Sequence, residues 1–225
     1  MAEDIREEAA IRCAPETVRR VMREERLYAK ARHKFVVTTQ SKHSLPVAEN
    51  VLARDFTAEG PNRKWASDIT YIRTGEGWLY LAGVLDLYSG RVIGWSMSER
   101  IDAELACSAL AMAVGARRPA AGLIHHGDRG VQYASGAYQT MLDRAGMVGS
   151  MSRKGNCWDN AAKESLFGKL KSEWIRERIF TTREEARREI FWYIEVFYNR
   201  QRRHATLGYV SPVAFEEGGT TIRAA

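Results

Sequence analysis

The sequence is poor in features that mark several protein classes. It has three cysteines and five prolines in 225 residues. Cys13, Cys107 and Cys157 are far apart and outside any Cys-x-x-Cys or zinc-ligand spacing, so neither a disulfide framework nor a structural zinc is indicated. The longest apolar runs fall short of the roughly 20 residues that cross a bilayer, and the acidic start MAEDIREE is unlike a signal peptide. These absences predict a cytoplasmic protein without a membrane partner.

An excess of negative charge is also lacking. Lys and Arg number 34 against 28 Asp and Glu, a net charge of +6. The excess gathers in residues 19–34, with seven cations against two acids, and in residues 150–205, with 13 against eight, whereas residues 56–149 are balanced. Basic flanks around a neutral centre are typical of a protein that contacts phosphates, although an ordinary charged surface has the same balance.

Periodicity divides the chain into a helical start, a linker and an α/β region. Residues 15–30 repeat apolar positions at helical spacing after a proline suited to the first turn, and the mixed composition of 31–62 is typical of a linker, with a domain boundary near 56. Three β-rich runs with short connections predict an antiparallel meander; they cover 64–73, 77–88 and 90–98.

The later part of the chain alternates helices and strands, which implies crossover connections and some parallel pairing. The predicted elements are helix 102–116, strand 122–128, helix 134–145, strand 147–152, helices 157–175 and 182–199, and a loop over 204–217. The sequence therefore predicts an α/β protein with a mixed five-stranded sheet flanked by helices.

Asp68 is the first candidate functional residue, because it interrupts a well-formed strand, ASDITYI. Acids are rare in strands and costly to bury unpaired. Alone, Asp68 is as well explained by an edge strand facing water or by pairing with an arginine.

Asp128 is the second candidate. It follows an apolar strand at the start of a loop, the usual place for functional groups in α/β sheets, although GDRG is also a plausible turn.

Two further features near Asp128 need interpretation. His125 and His126 are adjacent in the predicted strand, so they point to opposite faces and do not form a zinc site. We expect one in the core and one near the site.

The helix predicted over 157–175 carries three acids, and helical geometry allows only one of them on a given face. Glu164 shares a polar stripe with Asn160, Gly168 and Lys171, while Leu166, Phe167, Leu170 and Trp174 mark the apolar side. Asp159 and Glu173 are left with surface or capping roles. The stripe suits a metal ion at Glu164 and a phosphodiester passing over Gly168 to Lys171, although a solvated polar face is an alternative.

Four segments together resemble a known family. They are WASDITYIRTGEGWLYLAGVLDLYSGRVIGWSM, GLIHHGDRGVQYAS, SMSRKGNCWDNAAKESLFGKLKSE and YIEVFYNRQRRHATLGYVSPVAFE. In this order, over about residues 45–217, they are similar to the second-reading-frame (OrfB) transposase of the insertion sequence three (IS3) family, within the retroviral-integrase superfamily. Thirty-five residues separate Asp128 from Glu164, which agrees with that superfamily's Asp, Asp, 35, Glu signature.

The resemblance implies an RNase H-like integrase core and an active DDE transposase. It places the catalytic and metal-binding triad at Asp68, Asp128 and Glu164, with two Mg²⁺ ions that Mn²⁺ can replace. The activity implied is cleavage of phosphodiester bonds at the ends of an insertion sequence and transfer of those ends into target DNA.

The resemblance also implies contacts and partners. Lys171 and Asn160 match family positions beside the glutamate, and further DNA contacts are predicted at Arg129, Arg153, Lys154, Arg202 and Arg203. The partners expected are the terminal inverted repeats, target DNA and other copies of this chain on DNA. Gly127 replaces the serine that family members commonly have before the second aspartate, which we expect to loosen the loop without removing a ligand.

The predicted domain division is a truncated helix-turn-helix-like segment at 1–34, a linker at 35–55, the integrase core at 56–217 and a tail at 218–225. Because the family usually has a longer helical region before the core, an upstream-frame (OrfA) protein or fusion is a further expected partner. Two alternatives remain at this point: a nuclease that only hydrolyses, and a truncated, inactive DNA-binding regulator of transposition.

Overall fold

The computed structural model describes residues 13–27, 44–153, 166–175 and 178–223, with backbone alone for 219–223. The chain forms two compact units, residues 1–36 and 37–225. In the first unit, helix α1 spans Pro15–Glu24 with its proline in the first turn, as predicted. No residue of α1 is buried, and Arg19 bonds Glu16 at 2.7 Å on its surface.

A five-stranded mixed sheet forms the centre of the second unit, in the order β3-β2-β1-β4-β5. Strands β1, β2 and β3 pair antiparallel, and β4 pairs parallel with both β1 and β5. The predicted meander and parallel pairing are therefore confirmed. The strands are β1 Lys64–Thr74, β2 Gly77–Asp86, β3 Val92–Ser98, β4 Ile124–Gly127 and β5 Val148–Met151.

Helices cover both faces of the sheet. They are α2 Ala103–Arg117, α3 Val131–Ala134, α4 Gly136–Arg144, α5 from 166 to 175 with a π-helical part Leu170–Ile175, α6 Arg183–Trp192 with a π-helical continuation Tyr193–Tyr198, and α7 Pro212–Arg223. A short 3₁₀ turn spans Ala205–Leu207. In the ranges given above, no helix is long and apolar enough to cross a membrane.

Two elements differ from the predictions. The helix expected over 134–145 forms as α4, but the short helix α3 that precedes it was not predicted; Ser135 separates the two by taking an extended backbone, and its hydroxyl caps α4 by accepting the backbone N–H of Tyr138 at 3.3 Å. The prediction of a loop over 204–217 is wrong for the second half of that range, where α7 begins at Pro212. Ser211 accepts the N–H of Ala214 there, at 3.3 Å, as a helix cap immediately before Pro212.

Each face of the sheet has its own apolar core. One core joins the sheet to α2 and α4, and the other joins it to α5 and α6. Glycines permit the close approach on both faces: a Cβ at Gly94 would lie 2.3 Å from the Ala109 carbonyl of α2, and one at Gly83 would lie 3.2 Å from the Phe167 ring of α5. The two helices are therefore positioned by contacts that a larger residue would disrupt.

Helix α7 is fixed to the sheet by a buried carboxylate. Glu216 accepts hydrogen bonds from Ser89 at 2.7 Å, Arg91 at 2.8 Å and Arg117 at 2.8 Å. Burial alone would raise the pKa of Glu216, but these hydrogen bonds and the Arg117 charge hold that pKa below its usual range. Helix α7 continues past residue 217, across the predicted end of the core.

Candidate active site

Asp68 lies on β1, the central strand of the sheet. Its side chain is half-buried, its register partner on β2 is Gly83, and its Oδ1 accepts the backbone N–H of Ile69 at 2.9 Å. The β1–β4 pairing ends at Ala66, so at Asp68 the strand is paired on its β2 side alone, and the edge-strand alternative stays open. An acid in this position needs compensation of its charge by nearby groups.

Asp128 directly follows β4 and is 8% exposed. Its Oδ1 accepts the backbone N–H of Gly130 at 2.7 Å, so the turn suggested by GDRG is formed and is closed by the acid itself. The turn therefore fixes the carboxylate at the carboxyl end of β4.

The register of β1 and β4 brings the two acids to neighbouring positions. Lys64 pairs with Ile124 and Ala66 with His126, and the same offset of 60 relates Asp68 to Asp128. Each acid thus lies two residues beyond the last paired position, on the same face of adjacent parallel strands spaced about 4.8 Å apart. This is the crevice at the carboxyl ends of strands where α/β proteins place their chemistry.

Helix α5 places a cation beside Asp68. The Lys171 Nζ lies 4.3 Å from the centroid of the Tyr71 ring. Burial lowers the pKa of Lys171, and the charge of Asp68 opposes that shift. A Cβ at Gly168 would meet none of the described residues within 4 Å, so toward them this side of α5 is open, as the polar stripe predicts.

The opposite side of α5 is apolar, as predicted. Leu166, Phe167 and Leu170 are at most 7% exposed, and Trp174 packs against the same core. Burial of this side fixes which way the polar stripe faces.

Three predicted site residues, Lys154, Asn160 and Glu164, lie outside the described residues. Among the residues that are described, no group of three or more His, Cys, Asp or Glu side chains is arranged to hold a metal ion. Asp68 and Asp128 are therefore the part of the predicted triad that the structure brings together.

The two histidines point to opposite faces, as expected, but both are buried. His125 Nε2 lies 2.8 Å from the Ser67 hydroxyl and 3.1 Å from that of Tyr138. His126 lies 2.9 Å from the Ser150 hydroxyl and 3.2 Å from that of Ser152. Each imidazole ties the strand that ends at Asp128 to a neighbouring element, so both support the site from within the core.

Comparison with known proteins decides the family. Two models described as integrase core domain match residues 58–157 and 145–212. Transposase InsF for insertion sequence IS3A of Escherichia coli strain K12 is 54% identical over 200 residues, 89% of this chain and 69% of that protein. A 31 kDa protein of insertion element IS600 from Shigella sonnei is 50% identical over 198 residues, 88% of this chain and 73% of that protein.

The chain belongs to the IS3 family of transposases. It is an enzyme of the DDE polynucleotidyl transferase type, and its function is DNA transposition.

Solved structures show the fold of this transposase. The catalytic core of BIV integrase matches with a TM-score of 0.53 and 13% identity, over 73% of this chain and 99% of that one. A chain of the simian T-cell lymphotropic virus intasome matches with a TM-score of 0.52 and 18% identity, over 70% of this chain and 55% of that one. The predicted RNase H-like integrase core is therefore confirmed.

The cations that the sequence assigns to DNA have different surroundings. Arg153 is exposed, whereas Arg129 and Arg203 are half-buried. Arg202 is already paired: its guanidinium bonds Glu173 at 2.5 and 2.7 Å, and this hydrogen bond raises the pKa of Arg202. Glu173 therefore holds α5 to the end of the α6 region, and Arg202 has a structural partner inside the transposase.

Tyr133 is a buried neighbour of the site that sequence reasoning missed. It is 2% exposed, and its hydroxyl has no hydrogen-bond partner within the described part of the chain. Burial raises the pKa of Tyr133, and the charges of Asp68 and Asp128 add to the effect. A Cβ at Gly127 would lie 3.2 Å from the Tyr133 ring. Gly127 therefore ends β4 in close packing against Tyr133, and the loosening of the following loop stays a prediction.

Proposed function

We propose that this transposase cleaves and joins DNA at a Mg²⁺ site formed by Asp68, Asp128 and Glu164. The observation that supports the proposal most is the β1–β4 register, which sets two carboxylates side by side at the open end of parallel strands. Two carboxylates held close together on rigid strands repel each other and lose water, which costs free energy unless a cation lies between them. The site therefore suits a divalent ion better than any neutral ligand.

The donor set fits Mg²⁺, which prefers carboxylate oxygens and water. When bound, two such ions stabilise the negative charge on the entering and leaving oxygens of a phosphodiester displacement, and Mn²⁺ has the same preference. We assign Asp68 to both ions, Asp128 to one and Glu164 to the other. The buried hydrogen bond from Gly130 keeps Asp128 oriented.

The DNA strand is proposed to pass along α5. Gly168 leaves room for a backbone to approach, and Lys171 lies in half-buried surroundings, where the attraction between an ammonium group and a phosphate is stronger than in water. Asn160, Lys154, Arg129, Arg153 and Arg203 are proposed as further contacts. Arg202 is less suited to contact DNA, because its guanidinium holds Glu173.

Partners follow from the reaction. Joining both ends of an insertion sequence to a target requires the terminal inverted repeats, target DNA and more than one copy of the enzyme. We propose that residues 1–34 take part in recognising the ends together with an upstream-frame protein or fusion, and that 35–55 link them to the core at 56–217. We propose that this activity takes place on DNA in the bacterial cytoplasm, which the bacterial sources of the relatives support.

A joining assay tests the proposal. A duplex with the element's terminal repeat and a labelled 3′ end is incubated with target plasmid and Mg²⁺. We expect labelled plasmid, and we expect none when EDTA replaces the metal. Free cleaved ends without joined product would identify a nuclease that only hydrolyses, and binding without either product would identify an inactive regulator.

A further inference from the structure

Half-buried Tyr71 and exposed Trp78 form an aromatic platform close to the proposed site. Their rings meet edge to face with centroids 5.0 Å apart. Trp78 is 46% exposed, a large fraction for tryptophan. It lies on β2, directly beside β1, the strand that carries Asp68. The position of this platform needs an explanation that core packing does not provide.

Two cations lie next to the aromatic rings of the platform. Lys171 lies over the Tyr71 ring at 4.3 Å, and exposed Arg73 is the register partner of Trp78. Because register partners and alternate residues share a face, Tyr71, Arg73 and Trp78 lie on one side of the sheet. Alternating cations and aromatic rings match the alternating phosphates and bases of a nucleic-acid strand.

The platform stands on a rigid hairpin. The Thr74 hydroxyl donates to the Gly77 carbonyl at 2.7 Å, and Gly75 N–H donates to the Phe180 carbonyl at 2.9 Å. Arg183 Nε donates to the Trp78 carbonyl at 3.2 Å. A fixed backbone lowers the entropy that Trp78 loses when a ligand stacks on it.

Distance along β1 relates the platform to the reaction. Strands rise about 3.3 Å per residue, so Tyr71 lies about 10 Å and the Arg73–Trp78 pair about 17 Å along β1 from Asp68. DNA rises about 3.4 Å per base pair. By the same alternation, Asp68 faces the other side of β1 from Tyr71, and Lys171 links the two, because it lies over the Tyr71 ring and is close enough to Asp68 for the Asp68 charge to act on it. The platform therefore meets DNA within several nucleotides of a phosphodiester at Asp68.

We propose that Trp78, supported by Tyr71, stacks on an unpaired base of the bound DNA strand, while Lys171 and Arg73 contact its phosphates. This rests on the proposed function and extends it, since a base held out of the duplex near the scissile bond separates the strands where cleavage occurs. Stacking on an aromatic face tolerates any base, so the platform acts on strand separation and carries no sequence preference.

Binding of two oligonucleotides with equal charge tests the proposal. The probes are fluorescent dT20 and a 20-mer of abasic tetrahydrofuran units, titrated with the whole transposase in EDTA so that no chemistry occurs. We expect wild type to bind dT20 about tenfold more tightly than the abasic strand, and Trp78→Ala to lose most of this preference. Trp78→Phe, which retains a ring, is expected to keep part of it.

Trp192→Ala is the matched control, because Trp192 is similarly exposed, at 40%, but stacks on Trp174 instead. It is expected to keep the wild-type preference. Equal loss in both variants, or an unchanged preference in Trp78→Ala, would overturn the proposal. A smaller assembly of Trp78→Ala on size exclusion, with the preference intact, would instead make the surface an interface between copies. Loss of the joining reaction with Mg²⁺, with the base preference retained, would count against the proposed function alone.

Discussion

The strand ends and helix α5 contribute to the same proposed site by different physical means. Asp68 and Asp128 are set by a hydrogen-bonded register within the sheet, so their relation is fixed by backbone pairing. Lys171 is set by the packing of Leu166, Phe167 and Leu170 on the sheet, so its position depends on side-chain shape. The strand half of the site, Asp68 and Asp128, should therefore resist small changes of packing. The helix half, Lys171, should be displaced when even small groups are added where α5 packs on the sheet.

The largest effect on the joining reaction is expected when one carboxylate of the strand half is removed. Asp68→Asn or Asp128→Asn should lower formation of joined product by about 10³-fold or more, because several kcal/mol of transition-state stabilisation are lost and each 1.36 kcal/mol is tenfold in rate. The joining assay with Mg²⁺ measures this. Asp143→Asn, an exposed acid in the last turn of α4, is the control and should react normally.

Thermal unfolding completes that test, since both Asn variants should remain folded. Near-normal joining by either variant would remove that residue from the proposed site. The same change at Glu164, to Gln, is predicted to have a similarly large effect.

Displacing α5 should have the next largest effect. Gly83→Val pushes methyl groups toward Phe167, whose ring would already lie 3.2 Å from a Cβ. We expect a loss of about 1–3 kcal/mol in the free energy of unfolding and a fall of roughly 10²-fold in joining, the scale of an ångström-sized misplacement. Urea unfolding and the joining assay measure the two quantities.

Gly115→Ala is its control, because a Cβ there meets nothing within 4 Å and alanine favours a helix interior. It should be neutral or slightly stabilising. A Gly83→Val enzyme that joins DNA at the wild-type rate would show that the α5 contact does not position the site.

Removing the cation of the helix half should have a smaller effect. Lys171→Ala should weaken DNA binding and lower the slope of log affinity against log salt by about one, the signature of one lost phosphate contact. Lys171→Arg should retain the slope. Arg144→Ala changes an exposed cation in α4, away from the strand ends, and should leave the slope unchanged; an equal change there would make the Lys171 effect nonspecific.

The smallest effect on the joining reaction is expected from a change at His204, which lies in the segment after α6. Burial lowers the pKa of His204 to about 4, with help from the charges of Lys169 and Arg202. The folded pKa lies below the unfolded value of about 6.5, so stability is complete above pH 6.5 and is lost as pH falls toward 4, by at most about 1.4 kcal/mol per pH unit.

Unfolding of wild type and His204→Gln across pH 4–7 measures this contribution. The variant should lose part of the pH dependence, whereas identical curves would mean that His204 titrates normally in the folded state. The joining activity at neutral pH is expected to change little.

In both halves of the site, the sequence reveals which residues share an element and a face, but it does not reveal which distant elements meet. An acid inside ASDITYI is conspicuous because strands seldom contain one, and a second acid after an apolar run marks a strand end. The offset of 60 that aligns Asp68 with Asp128 is not readable, because strand pairing depends on the whole sheet. The Glu173–Arg202 ion pair is not readable either, because it joins residues far apart in the chain; Glu173 is exposed, as predicted, and the DNA contact predicted at Arg202 stays a prediction.

Local signals were also misjudged where short side-chain hydrogen bonds decide the structure. Ser135 caps the predicted helix at its start and separates it from the unpredicted helix α3, and Ser211 before Pro212 starts a helix where a loop was predicted. Serine favours both turns and helix starts, so its neighbours must decide between them. In the second case, the glutamates of PVAFEE were the unused evidence for a helix.

The central claim is that Asp68 and Asp128 together hold a divalent cation. Crystals of the transposase soaked in Mn²⁺ test it directly, through an anomalous difference map measured for wild type and for Asp68→Asn. The account predicts a strong peak between the Asp68 and Asp128 carboxylates that disappears in the variant. Saturating Mn²⁺ without a peak between them, or a peak that persists in Asp68→Asn, would contradict it.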